Sequence, residues 1–267
     1  MPSHFSTIGF PIESAEELYD IAEKVSHHAE RLECANGYYL KWSSPEGAEL
    51  WLQVDKENNL VGLVPTFSGE SNMSVGVMSE IVGSDDTPFD GSIHGWADPS
   101  EDNPESGAYP FVFDLVNKAI YGTLDFPFIS EVSLSAFAHE LTVYDSEAEY
   151  DSSQTKEPKF SVESFIPSGL FIDKEDPKAT PRPYAVFTGT VLKEKECTNP
   201  LTNNNYHWAL VKTLGGTIDV VTDLELVQKP IKVGSVISGS FWLSGKIKNP
   251  RVTVKKGFLG GLFSKKT

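Results

Sequence analysis

At 267 residues, with 39% apolar, 11% aromatic and 22% charged side chains, the chain is composed as a globular protein. It is long enough to bury a core without disulfide or metal cross-links. The formal net charge is −16, and nine Lys or Arg with no Asp or Glu in residues 226–267 leave −25 on the first 225. A body that acidic repels nucleic acid and anionic membrane, so contact with a polyanion is excluded except through the C-terminal end.

Cys34 and Cys197 lie far apart in sequence and point to free thiols in a reducing compartment. Met1 to Ile8 has no basic leader followed by an apolar run, and no stretch approaches the ~18 apolar residues of a membrane span. The expectation is a cytoplasmic protein with no transmembrane segment.

In chain order, His4 to Ile12 reads as a short strand ended by Pro11. Ser14 and Glu17 form a capping box for a helix. Its apolar stripe runs through Ala15, Leu18, Ile21, Ala22, Val25, Ala29 and Leu32, and it ends near Glu33 before Asn36-Gly37. Three strands follow at 38–42, 49–54 and 60–67, with turns at Ser44-Pro45-Glu46-Gly47 and 55–59. Residues 73–82, 119–124 and 131–144 read as extended, and 110–116 fits either a strand or a short helix. Gly83 to Gly107 is an acidic loop rich in Pro and Gly, with seven Asp or Glu and no Lys or Arg.

The polar run 145–158 is the candidate linker. Beyond it, strands at 184–193, 206–212, 217–226 and 235–244, separated by Gly, Asn and Pro turns, suit a small barrel. The fold expected is α+β in two parts. Residues 1–150 form a strand-rich domain with one long helix against a mixed or antiparallel sheet, and residues 160–250 form a small all-β barrel. A basic, apolar tail occupies 251–267.

Complete catalytic patterns are missing. His139-Glu140 begins a zinc-protease motif, but Val143 stands where the second His belongs. Gly239 to Lys246 has five residues between its glycines where a phosphate loop has four, and Ile247 replaces the magnesium-binding hydroxyl. Asp85, Asp86, Asp90 and His94 offer hard oxygen and one nitrogen to a metal ion. The alternative for that loop is a solvated surface. Tyr206, His207, Trp208 and Trp242 either pack a sheet face or offer stacking platforms to a ligand. Phe258 and Phe263, flanked by lysines, suit a partner groove or membrane surface, against a free or folded-back tail.

The order strand, helix, three strands over 4–67, with its Ser44–Leu52 hairpin, resembles one half of the vicinal oxygen chelate superfamily, which includes glyoxalase relatives. That resemblance implies a cupped sheet and metal ligands of His and Glu type. His4 matches the first ligand, and Met73 to Val82 offers no His for the second module. Residues 184–247 resemble an oligonucleotide/oligosaccharide-binding (OB) barrel, a fold that hosts many functions. The reading that follows is a non-enzymatic accessory protein, without a cofactor, that binds a small molecule or a protein. The alternatives are a metal-dependent enzyme using His4 and Glu49 with the acidic loop, and single-strand nucleic-acid binding by the barrel.

Overall fold

The computed structural model describes residues 3–83, 86–172 and 179–252. Asp85, Phe258 and Phe263 lie outside the described residues.

The chain opens on a 3-10 turn at Ser6–Ile8, not on a strand. Short polar side chains bond the local backbone there: the Ser6 amide donates to Ser3 Oγ (3.1 Å) and Thr7 Oγ1 to the His4 carbonyl (2.9 Å). Such bonds offer the chain an alternative to a ladder. Helix α1 (Ala15–Ser26) has the expected capping box. It is shorter than its apolar stripe suggested, because Leu32 and Cys34 also fit a two-residue period. That segment forms β1 (Glu30–Cys34), which pairs with β2 (Gly37–Ser43) across a tight turn.

With β3 (Ala48–Asp55) and β4 (Leu60–Phe67) these strands make an antiparallel sheet in the order β1-β2-β3-β4. Both faces of β3 are covered. Leu50 and Leu52 pack with Ala22 and Val25 of α1, while Trp51 packs with Tyr39, Phe89, Val116 and Ala119.

The rest of the sheet structure is one nine-stranded assembly. Its strands are β5 (Met73–Ile81), β6 (Ser92–Ala97), β7 (Tyr109–Leu115), β8 (Phe128–Tyr144), β9 (Ser164–Ile166), β10 (Tyr184–Thr198), β11 (Asn205–Thr213), β12 (Gly216–Asp223) and β13 (Val236–Ile247). Strand β6 lies inside the stretch expected to be loop. Residues 119–121, at the start of the 119–124 stretch expected to be extended, belong to the helical turn α2 (Lys118–Tyr121), whose Ala119 amide donates to the Tyr39 hydroxyl.

Strand β8 is 17 residues long and pairs antiparallel with β13 at twelve positions. Its other edge takes β5 over Phe128–Val132 and then β12, in parallel, over Ser135–Phe137. Strand β13 likewise takes β10 on its first half and β7 near its end. Pairings β5–β6–β7 on one side and β10–β11–β12 on the other complete two five-stranded rings that share the β8–β13 pair. One apolar cluster runs through both interiors, including Phe111, Phe113, Leu134, Phe187 and Phe241.

This changes the expected organisation. The polar run 145–158, which holds a third short helix, α3 (Glu147–Ser153), does not separate two sheets. The ring built on residues 184–247 takes its fifth strand from β8, before the supposed linker. Hydrogen-bonded edges left open by four strands are closed by the one long strand that reaches them.

Candidate functional site

The described members of the expected metal set, His4, Glu49, Asp86, Asp90 and His94, do not converge. Among the described residues, no three His, Cys, Asp or Glu side chains are placed to hold a metal ion. Asp86 caps the Gly83 amide, and Asp90 accepts from the Thr87 amide and hydroxyl and from Gln53 Nε2. His94 sits on β6 opposite Val112, and burial lowers its pKa.

Glu49 is fully engaged. It is 2% exposed, and Lys246 Nζ of β13 and Trp51 Nε1 donate to its Oε2 at 2.6 and 2.8 Å. Lys41 Nζ lies 3.2 Å from Oε1. Burial by itself would raise this carboxyl, but Lys246, Trp51 and Lys41 carry it below the ordinary carboxylate range. A lone carboxylate so placed would be costly; two ammonium groups hold it ionised. This cluster joins the four-stranded sheet to the shared strand pair, and the Thr66–Ser244 hydroxyl bond (3.0 Å) joins them again.

Above Glu49 opens a cleft of about 480 Å³. Lys41, the β2–β3 turn and Gly69-Glu70 line one wall, and Lys195, Cys197 and Trp208 the other. Asp219 on β12, 1% exposed, sets the second wall. It accepts from the Glu70 amide (3.0 Å), the Ser71 amide (2.9 Å) and Trp208 Nε1 (2.9 Å). Gly69 permits this approach: a Cβ there would come 2.2 Å from Asp219 Oδ1. The indole of Trp208 is therefore held at its edge by a carboxylate, and Phe67 lies roughly parallel to it at 6.3 Å. At the rim Lys195 pairs with Glu46 and Lys193 with Glu70. Burial first, then Glu46, pushes the Cys197 thiol up to about 11, which keeps it protonated.

No family model matches the sequence, and no curated protein or solved structure matches the chain. The site is read from its own geometry.

The remaining aromatic candidates are structural. Tyr206 is fully buried among Ile8, Phe10 and Phe67, and Trp242 is 6% exposed, so neither presents a face to a ligand. His207 is buried with a lowered pKa; its Nε2 lies 3.2 Å from Glu194 Oε2 without the angle of a hydrogen bond. His4 does not approach Glu49. Its ring stacks on Trp242 (4.2 Å, 7°), and its Nε2 lies 2.8 Å from His139 Nε2. Burial first, then the neighbouring His139, lowers the His4 pKa to about 4, so one neutral ring donates to the other. His139 falls where the β8–β13 register shifts, and such bulges re-aim side chains.

Beneath this pair, Trp242 Nε1 donates to Asp114 Oδ2 (2.7 Å) and Ser92 Oγ to Oδ1 (2.5 Å). Desolvation raises Asp114 from 3.8 to about 6 despite both bonds, with Asp90 and Asp86 adding to the shift. Asp219, Asp114 and the Glu49–Lys246 contact escaped sequence reasoning because each depends on a partner at least 128 positions away, Glu70 and Ser71 for Asp219 and Trp242 for Asp114. Trp208 was legible as an aromatic among charges, but which of four aromatic candidates stays accessible depends on the ring.

Two outcomes follow from these buried charges. Glu49→Leu strands Lys246 and should cost about 3 kcal/mol in urea unfolding, while Glu49→Leu/Lys246→Met should recover most of that loss. Costs that simply add would show the pair is not coupled. A group whose folded pKa is raised contributes stability below its unfolded value that is lost as pH rises through the folded one. Relative to Asp114→Asn, the native protein should therefore lose on the order of 2 kcal/mol between pH ~4 and ~6.5. Parallel pH–stability curves would contradict the assignment.

Proposed function

We propose that this chain is a non-enzymatic binding protein and that its ligand site is the cleft between the four-stranded sheet and the ring of β8, β10, β11, β12 and β13. The observation that carries this reading is Trp208, a half-buried indole locked by Asp219 and backed by Phe67 at the wall of a cleft of about 480 Å³. Small-ligand sites fall in this size range and combine an apolar surface with a few fixed polar groups. The ionisable groups around it are arranged for recognition: Glu49 is ion-paired, and the Cys197 thiol is held protonated. Neither is poised as a nucleophile or general base.

The five-stranded ring supports an OB-like reading of the C-terminal half, with β8 supplied from the front half of the chain. For single-strand nucleic acid that ring would need free cations. Of the seven lysines in residues 184–248, Lys193, Lys195, Lys212, Lys229 and Lys246 each pair with a carboxylate and Lys248 donates to Asn72 Oδ1, which leaves few free cations and favours a small ligand over a polyanion.

A ligand-observed NMR screen of small polar metabolites tests the site against a variant in which the cleft is filled. Ser68 is exposed and lines it. Metabolites that bind the native protein should bind Ser68→Trp at least tenfold more weakly, at unchanged melting temperature. Binding that survives the filled cleft would overturn the proposal.

A further inference from the structure

Resting on the reading of the cleft as a ligand site, we infer that its ligand class is a neutral, polyhydroxylated molecule, a short oligosaccharide, laid against Trp208. Three independent features of the cleft lead there. The first is charge. Rim and floor carry Glu46 with Lys195, Glu70 with Lys193, and Glu49 between Lys41 and Lys246, so donors and acceptors alternate around the opening and each of these charges already lies beside an opposite one. An anionic or cationic ligand would have to displace one member of a pair and leave the other unmatched. A hydroxyl both donates and accepts, so a polyol can bridge ammonium and carboxylate without separating them.

The second is the long-range field. The chain carries a formal net charge of −16, which repels nucleotides, phosphates and organic acids before they reach the opening. A neutral molecule pays nothing to this field.

The third is the surface itself. The Trp208 side chain is held in place by its bond to Asp219 and by Phe67, so its orientation does not have to be fixed at binding. Rigid aromatic planes supply contact area at low entropic cost. The C–H face of a pyranose ring is flat and apolar while its edge carries hydroxyls, matching an indole plane ringed by polar groups. The cleft has room for roughly two sugar rings by the scale of small-ligand pockets.

The test uses the full chain and the indole N–H resonance of Trp208, assigned by its disappearance in Trp208→Phe. The probes are neutral trisaccharides of glucose, galactose, mannose, xylose and N-acetylglucosamine in α and β linkage, with AMP and lysine as charged comparators. At least one trisaccharide should shift the Trp208 resonance saturably, and AMP and lysine should not. Trp208→Ala should weaken that binding at least tenfold. Glu46→Gln/Lys195→Met, changed only at the exposed rim, should weaken it about fivefold while leaving the amide spectrum dispersed. If AMP or lysine shifts Trp208 and no trisaccharide does, the cleft stands as a site and the ligand class is wrong. If no probe shifts it, the class falls and so does the cleft as proposed.

Discussion

The pairing of β8 with β13 is the constraint on which the rest of the molecule depends. Twelve paired positions give two long strands a common axis, and each then uses its free edge twice, once for each ring. Closure removes edges that would otherwise carry unpaired backbone groups. It also fixes which side chains of β13 face the four-stranded sheet. Ser244 and Lys246 reach Thr66 and Glu49, whereas Trp242, further back along the strand, receives His4. The N-terminal turn, the first sheet and the cleft wall are thus positioned by one strand pair.

The joint between the first sheet and the rings combines an apolar patch, where Phe67 meets Tyr206 and Trp208, with buried charges. Glu49 with two lysines and Asp219 with two amides and an indole lie buried along it. Such groups add little net stability, because desolvation offsets their attraction. They do demand a single geometry, since each donor must meet its acceptor. That requirement holds Trp208 at a fixed angle over the cleft and keeps the surrounding charges paired.

Local features of the sequence were readable and long-range ones were not. Ser14 with Glu17 marked the start of α1, and Ser44 to Gly47 marked the β2–β3 turn, because both devices act within a few residues. The end of α1 was misplaced because Leu32 satisfies a helical and an extended period alike; the turn before Gly37 decided between them. Ser92 to Ala97 passed as loop since it is short, interrupted by Gly95 and flanked by acids, yet Ile93 and Ala97 are buried by neighbours elsewhere in the chain. In the candidate site, Glu49 stood out as a candidate metal ligand beside His4, a role its ion pairs with Lys41 and Lys246 replace. Its partner Lys246 did not, because nothing near residue 246 signals a residue 197 positions away.

The claim that β8 closes the ring of β10 to β13 is tested most directly by residues 160–252 expressed alone and examined by amide NMR. Without β8, two strand edges and the interior they cover are open, and the account predicts a collapsed spectrum with little dispersion. Adding a peptide of residues 128–144 should restore dispersed signals. A well-dispersed spectrum from 160–252 by itself would contradict it and show that this half is a self-sufficient domain.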